Sequence, residues 1–205
     1  MAECIDYYFS LNSPWSYLGH GRLADMARRH GLEIQPHPVD FVGVIFPATG
    51  GLPVGKRSPQ RQAYRLVELE RWSRYLNIPL NIHPKFWPAD EALAAQTLLA
   101  AREAGADCVA FIGALMGAVW AEQRDIADAG TVVAVAGECG LDGESLVAAG
   151  GTPEMAELRT GESRQAIERG VFGAPTYIYR EQPFWGQDRL ELLEHAIESG
   201  RGVNR

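Results

Sequence analysis

The sequence is short of the groups that mark a redox, metal or nucleic-acid protein. Cysteine occurs three times in 205 residues, at Cys4, Cys108 and Cys139, far apart and in no Cys-x-x-Cys or metal-ligand spacing. That removes a dithiol redox motif and a thiolate metal site, and scattered thiols in odd number fit a reducing cytoplasm better than a disulfide framework. The histidines, His20, His30, His37, His83 and His195, show no H-E-x-x-H or paired spacing, so no bound metal is expected. Basic charge is scarce: 19 Lys and Arg stand against 26 Asp and Glu, a formal charge of −7 with no basic run. A nucleic-acid polymer is thereby disfavoured as a partner, while a local anion site is not. No apolar run approaches the ~18 residues of a membrane helix. Met1-Ala2-Glu3-Cys4-Ile5-Asp6 also lacks the basic start and apolar core of a signal peptide, so the chain reads as soluble and unprocessed, with no membrane partner.

At 46% hydrophobic, a chain of this length can bury one substantial core. Residues 5–10 are short, aromatic and β-prone, and run into Asn12-Ser13-Pro14, where a serine cap followed by proline opens a helix. That helix carries apolar residues at helical spacing through Ala27, gathers Arg28, Arg29 and His30 in its last turn, and stops at Gly31. Residues 33–41 read as a second, irregular strand because of Pro36 and Pro38. After a Gly- and Pro-rich loop at 46–59, alanine-rich segments at 60–75, 90–104, 106–121, 130–137, 143–150 and 153–169 favour helix. Strand character returns at 171–180, a turn at Glu181-Gln182-Pro183 pairs it back on itself, and a closing helix runs from about 187 to 199. The expected organisation is a discontinuous β-rich unit at 1–45 and 170–205, a helical insert at 60–169, and a loop or lid at 46–59.

Three constellations carry the chemistry. Ser13-Pro14-Trp15-Ser16 puts two hydroxyls at the start of the first helix, directly after the first strand, where thioredoxin-like redox proteins hold Cys-x-x-Cys. Unpaired N–H groups and the positive end of the helix dipole favour an anion there. A serine cannot cycle through a disulfide, yet it can donate a hydrogen bond to a sulfur brought in by a cofactor; the plain alternative is that Ser13 only caps the helix. Gly173-Ala174-Pro175-Thr176 precedes a late strand. Were Pro175 cis rather than trans, the backbone of Ala174 would be open to an extended peptide ligand. Finally, in Trp185-Gly186-Gln187-Asp188-Arg189-Leu190, Gln187 and Asp188 can cap a helix, and an exposed Asp-Arg pair can grip an ammonium and a carboxylate.

Taken together, Ser-Pro-Trp-Ser-Tyr-Leu at 13–18, Val-Phe-Gly-Ala-Pro-Thr at 171–176 and Trp-Gly-Gln-Asp-Arg-Leu at 185–190 resemble the 2-hydroxychromene-2-carboxylate isomerases and their kin, the kappa-class glutathione transferases. The resemblance covers nearly the whole chain. It implies an α/β, thioredoxin-like fold of the DsbA type with a large α-helical insertion, glutathione as cofactor, a small aromatic α-keto acid as substrate, and a homodimer. By the same resemblance Ser13 orients and activates the glutathione thiol, and Ala174 with Pro175 holds the cysteinyl backbone. Asp188, Gln187 and Arg189 bind the γ-glutamyl end, and Arg61, where the family usually has lysine, meets the glycyl carboxylate. Trp15, in place of the more usual Phe or Tyr, and Trp185 wall the aromatic substrate.

Other readings are weaker. Gly50 to Lys56 matches most of a phosphate-binding loop, but Arg57 stands where Ser or Thr belongs and Ser58-Pro59 interrupts the helix; a lid fits that composition better. Glu68 and Glu70 belong to a solvated face with Arg65, Arg71 and Arg74. The expected activity is isomerisation through a transient thiol adduct, glutathione being unchanged overall. A transferase or peroxidase that consumes glutathione is the alternative, and a non-catalytic thioredoxin-like binding module is a third reading from another class.

Overall fold

The computed structural model describes residues 3–200. Strand β1 (Cys4–Phe9) leads into α1 (Pro14–His30) and the parallel strand β2 (Glu33–Pro38); after seven intervening α-helices, β3 (Thr176–Tyr179) and β4 (Gln182–Trp185) complete a four-stranded sheet in the order β2-β1-β3-β4, with β3 antiparallel to both neighbours. The β1 side chains alternate as a strand must. Ile5, Tyr7 and Phe9 enter the main core, whereas Tyr8 joins a second cluster on the opposite face with Val39, Phe41, Ile45 and Ile178. Helix α1 starts under the Ser13 cap with Pro14 in its first turn and ends where Gly31 takes a left-handed φ of 64°, a conformation glycine adopts without steric cost.

The sequence-expected helices all form, with ends shifted by a few residues. A short α2 (Phe46–Thr49) comes first, then α3 (Pro59–Leu76), α4 (Ala92–Glu103), α5 (Val109–Trp120), α6 (Ala129–Glu138), α7 (Gly143–Gly150) and α8 (Pro153–Glu168), and α9 (Leu190–Ser199) closes the chain. Two differences have local causes. The second strand ends at Pro38 rather than 41, because the Asp40 carboxylate accepts the Gly43 N–H at 2.7 Å and starts a π-helical turn at Phe41–Ile45. The loop at 46–59 is partly helical, holding α2 and a 3-10 turn at Val54–Lys56.

Helical block and sheet share one core. Ile5, Tyr7, Phe9 and Leu23 pack in the same cluster as Leu98, Phe111, Leu115, Trp120 and Val132; α5, apolar nearly all round, lies at its centre. The block also grips the loop between β1 and α1. Trp120 Nε1 donates to the Leu11 carbonyl at 3.1 Å and Trp87 Nε1 to the Asn12 carbonyl at 2.9 Å. The Asn12 amide exchanges hydrogen bonds with the backbone of Ala89 at 2.9 and 3.0 Å. Glu91 Oε2 accepts from the Ser10 hydroxyl at 2.8 Å and the Asn12 N–H at 2.9 Å, while its Oε1 meets Arg159 Nη2 at 3.0 Å. Arg159 in turn donates from Nε to the Pro38 carbonyl at 3.0 Å.

On the other face of the sheet His37 stacks on Tyr8 and lies between Asp6, at 3.2 Å, and Glu162, at 2.9 Å, with Arg169 and Arg102 completing the network. Burial opposes protonation of His37, but hydrogen bonds to the two carboxylates outweigh it and raise its pKa. Asp6 and Glu162 are likewise opposed by burial, yet their cationic partners hold both below the usual carboxylate value.

Two outcomes are expected. Glu91→Ala strands the buried Arg159 charge and frees the Ser10–Asn12 loop, and urea unfolding should register a loss of about 3–5 kcal/mol; a loss under about 1 kcal/mol would refute the clamp. Because the folded pKa of His37 is raised, its contribution is complete below about pH 6.5 and fades as pH climbs through the folded value. The two carboxylates contribute above about pH 4 and lose this on acidification. The stability difference between wild type and His37→Gln should therefore be largest between these limits and shrink as pH rises through the raised folded pKa of His37; a constant difference would contradict the network.

Candidate active site

Ser13 reaches its position because β1 ends at Phe9 and the gripped loop turns the chain into α1. Its own N–H donates to the Ser10 carbonyl at 3.1 Å. Its Oγ accepts the Ser16 N–H at 3.2 Å, as a helix cap does. The hydroxyl proton faces the Ala174 carbonyl at 3.5 Å, long for an O–H···O bond and easily redirected. No acidic residue occupies the first turn of α1, so nothing there offsets the positive end of the helix dipole. Ser16, by contrast, is fully buried on the inner side of the helix.

Ala174 approaches from the loop before β3, and the Ala174–Pro175 peptide is cis. That loop is closely packed: a Cβ on Gly173 would collide with the indole of Trp185, so glycine is required there. Trp185 stands half-exposed with Phe172 edge-on at 4.7 Å. Ser13, Trp15, Ala174, Phe172 and Trp185 line a cleft of about 1010 Å³ together with the π-helical turn, the 49–55 segment and the start of α3. Arg57, Arg61 and Arg65 follow at four-residue intervals and all line the cleft. Neither the Arg61 nor the Arg65 side chain makes a hydrogen bond or ion pair among the described residues, and the Arg57 side chain donates only to the Leu52 carbonyl, at 2.9 Å. Burial and the neighbouring Arg57 charge lower the pKa of Arg65 to about 10, so it stays a cation at neutral pH.

The structure thus brings Ser13, Trp15, Arg61, Ala174 and Trp185 around one cleft. Four other residues singled out in the sequence do not line it. Pro175 turns inward, its carbonyl accepting from Gly186 N–H at 2.9 Å. Gln187 is buried, and its Oε1 accepts from Arg22 Nη1 at 2.7 Å. It packs against Gly19, where any Cβ would lie 2.9 Å from the Gln187 Cβ. Asp188 and Arg189 are half-exposed and paired to each other at 2.7 Å. Sequence reasoning passed over Asn12, Glu91, Arg159 and Trp87, whose partners lie tens of residues away, and assigned Arg65 to a solvated face. The four-residue spacing of Arg61 and Arg65 was the available signal, since it puts both cations on one side of the start of α3.

Comparison with known proteins agrees with the thioredoxin-like fold. The family described as DSBA-like thioredoxin domain matches residues 4–198. A 2-hydroxychromene-2-carboxylate isomerase of Sphingobium xenophagum is 34% identical over 201 residues, covering 96% of this chain and 99% of the relative. Human glutathione S-transferase kappa 1 is 23% identical, with 96% and 92% covered. A solved structure of a 2-hydroxychromene-2-carboxylate isomerase superposes with a TM-score of 0.78 at 26% identity, covering 96% of this chain and 95% of the other. The chain therefore belongs to the DSBA-like thioredoxin family and, within it, to the family of 2-hydroxychromene-2-carboxylate isomerases.

Proposed function

We propose that the protein is a glutathione-dependent cis–trans isomerase that interconverts 2-hydroxychromene-2-carboxylate and trans-o-hydroxybenzylidenepyruvate, or a close aromatic α-keto acid. The observation that carries this reading is a serine hydroxyl at a helix N-terminus, in a cleft lined by none of the three cysteines. Such a site stabilises a sulfur anion without owning one, so the nucleophile has to arrive with a ligand. The residues present fit glutathione. The cleft is at the upper end of the usual ligand range of about 300–1000 Å³, leaving space for a tripeptide and an aromatic acid together. Arg61 would meet the glycyl carboxylate and Ala174 the cysteinyl backbone through its N–H and C=O, whereas Asp188 and Arg189, outside the cleft and paired to each other, could reach the γ-glutamyl end only if it extends beyond the cleft.

When bound, glutathione would supply a thiolate nucleophile for reversible addition to a conjugated double bond, with no net consumption of the cofactor. The chain's own residues do the rest. Ser13 keeps its oxygen fixed by the Ser16 N–H and turns its proton to the sulfur, which lowers the cost of ionising the thiol. The α1 N-terminus adds a field of the same sign. Trp15, Phe172 and Trp185 flank the aromatic ring and exclude water, and the 49–55 segment closes over it as a lid. The three unpaired thiols support a reducing, cytoplasmic setting for the same reading. Among the described residues no helix is long and apolar enough to cross a membrane.

The test is turnover of o-hydroxybenzylidenepyruvate with catalytic glutathione, followed by a thiol count. Isomerisation should require glutathione and leave its amount constant, and Ser13→Ala should cut kcat/KM by about 10²–10³, the usual cost of removing one donor to a developing anion. Stoichiometric loss of thiol would favour the transferase reading, which the kappa-class relative supports; no glutathione dependence would sink the proposal.

A further inference from the structure

We propose that Arg65 is the specificity-determining residue of the cleft, the anchor for the carboxylate of an aromatic acid substrate. Its side chain is an unusual occupant of a cleft wall. The residue is only 8% exposed, its Nη2 is covered and makes no hydrogen bond, and no carboxylate pairs with it among the described residues. The guanidinium lies 4.8 Å above the ring of Trp87, itself fixed through Nε1 to the Asn12 carbonyl. That aromatic face offsets part of the desolvation cost, but it satisfies none of the fork of N–H donors. A cation buried in this way destabilises a fold, and the charged neighbour that acts on it, Arg57, adds repulsion.

Acids on the cleft wall cannot supply the missing partner. Glu91 is committed to Arg159, Ser10 and Asn12, Asp40 to the Gly43 N–H, and Asp90 to the Ala92 N–H. An entering carboxylate would therefore gain what the fold leaves unmet, because a planar guanidinium matches a carboxylate in a two-bond fork. Arg61, one helical turn earlier in α3, is exposed and its side chain also makes no hydrogen bond or ion pair among the described residues. Two unpaired cations match two carboxylates, the glycyl one of glutathione on Arg61 and that of the second ligand on Arg65. The identity of that second ligand as an α-keto acid rests on the isomerase reading; the recognition of an aromatic carboxylate by Arg65 does not.

A pair of unreactive ligands tests this without turnover. 4-Phenyl-2-oxobutanoate carries the keto acid without the double bond, and 4-phenyl-2-butanone lacks the carboxylate. Calorimetric titration of the wild-type protein, with and without glutathione, should show the acid bound about 30-fold or more tightly than the ketone, the range expected for a charge-assisted hydrogen-bonded pair. In Arg65→Leu and Arg65→Met that preference should fall to within about 3-fold, with glutathione affinity unchanged and melting temperatures no lower than wild type, since an unpaired buried charge has been removed. Arg65→Lys should keep part of the preference. The inference is overturned if the variants keep the preference, if glutathione affinity falls in step, or if both variants melt well below wild type, which would make Arg65 structural. A wild-type protein that prefers the acid through Arg65 but does not isomerise benzylidenepyruvates keeps this inference and loses the isomerase reading. One that isomerises with no preference for the acid does the reverse.

Discussion

Three residues between the first strand and the first helix, Ser10 to Asn12, are held by groups that lie 75 to 109 positions further along the chain. Trp87, Ala89, Glu91 and Trp120 bind the backbone or side chains of Ser10, Leu11 and Asn12, and Arg159 ties Glu91 to the end of β2. Without this grip a polar loop at the end of a strand would move, and the Ser13 oxygen would lose its distance to Ala174. The helical block is thus more than a cover for the sheet. It shares the sheet's core and fixes the site, which is how a hydroxyl can be placed closely enough to stabilise an anion.

Charge is distributed to the same end. A chain with a formal charge of −7 keeps Arg57, Arg61, Arg65 and the positive end of α1 at its cleft, while the acids that line it are already bonded within the protein. An anion entering the cleft therefore meets donors from more than one element. Such a site suits ligands that carry carboxylates and ionise a thiol, and it is reached in a protein whose overall charge repels polyanions.

Much of this was legible in the sequence where the cause is local. Ser13-Pro14 and Gly31 mark the ends of α1 because capping and left-handed glycine are short-range effects, and Ser58-Pro59 marks the start of α3 in the same way. The Asp40 carboxylate that ends the second strand was equally local but went unread. Juxtaposition was another matter: Ser13 and Ala174 are 161 residues apart, and only the resemblance to a family paired them. Gln187 looked available for a ligand, yet Arg22, on a helix far away in sequence, takes its side chain. Arg65 looked like one charge on a solvated helix face, since sequence periodicity does not reveal that Trp87 will fold over that turn.

The central claim is that the protein ionises a thiol it does not own, and the absorbance of the thiolate reports this directly. Titration of glutathione bound to the wild-type protein, against Ser13→Ala, should show the bound thiol ionising well below free glutathione, with the shift lost in the variant. Bound thiol that titrates like free glutathione, or an equal shift without the Ser13 hydroxyl, would contradict the account.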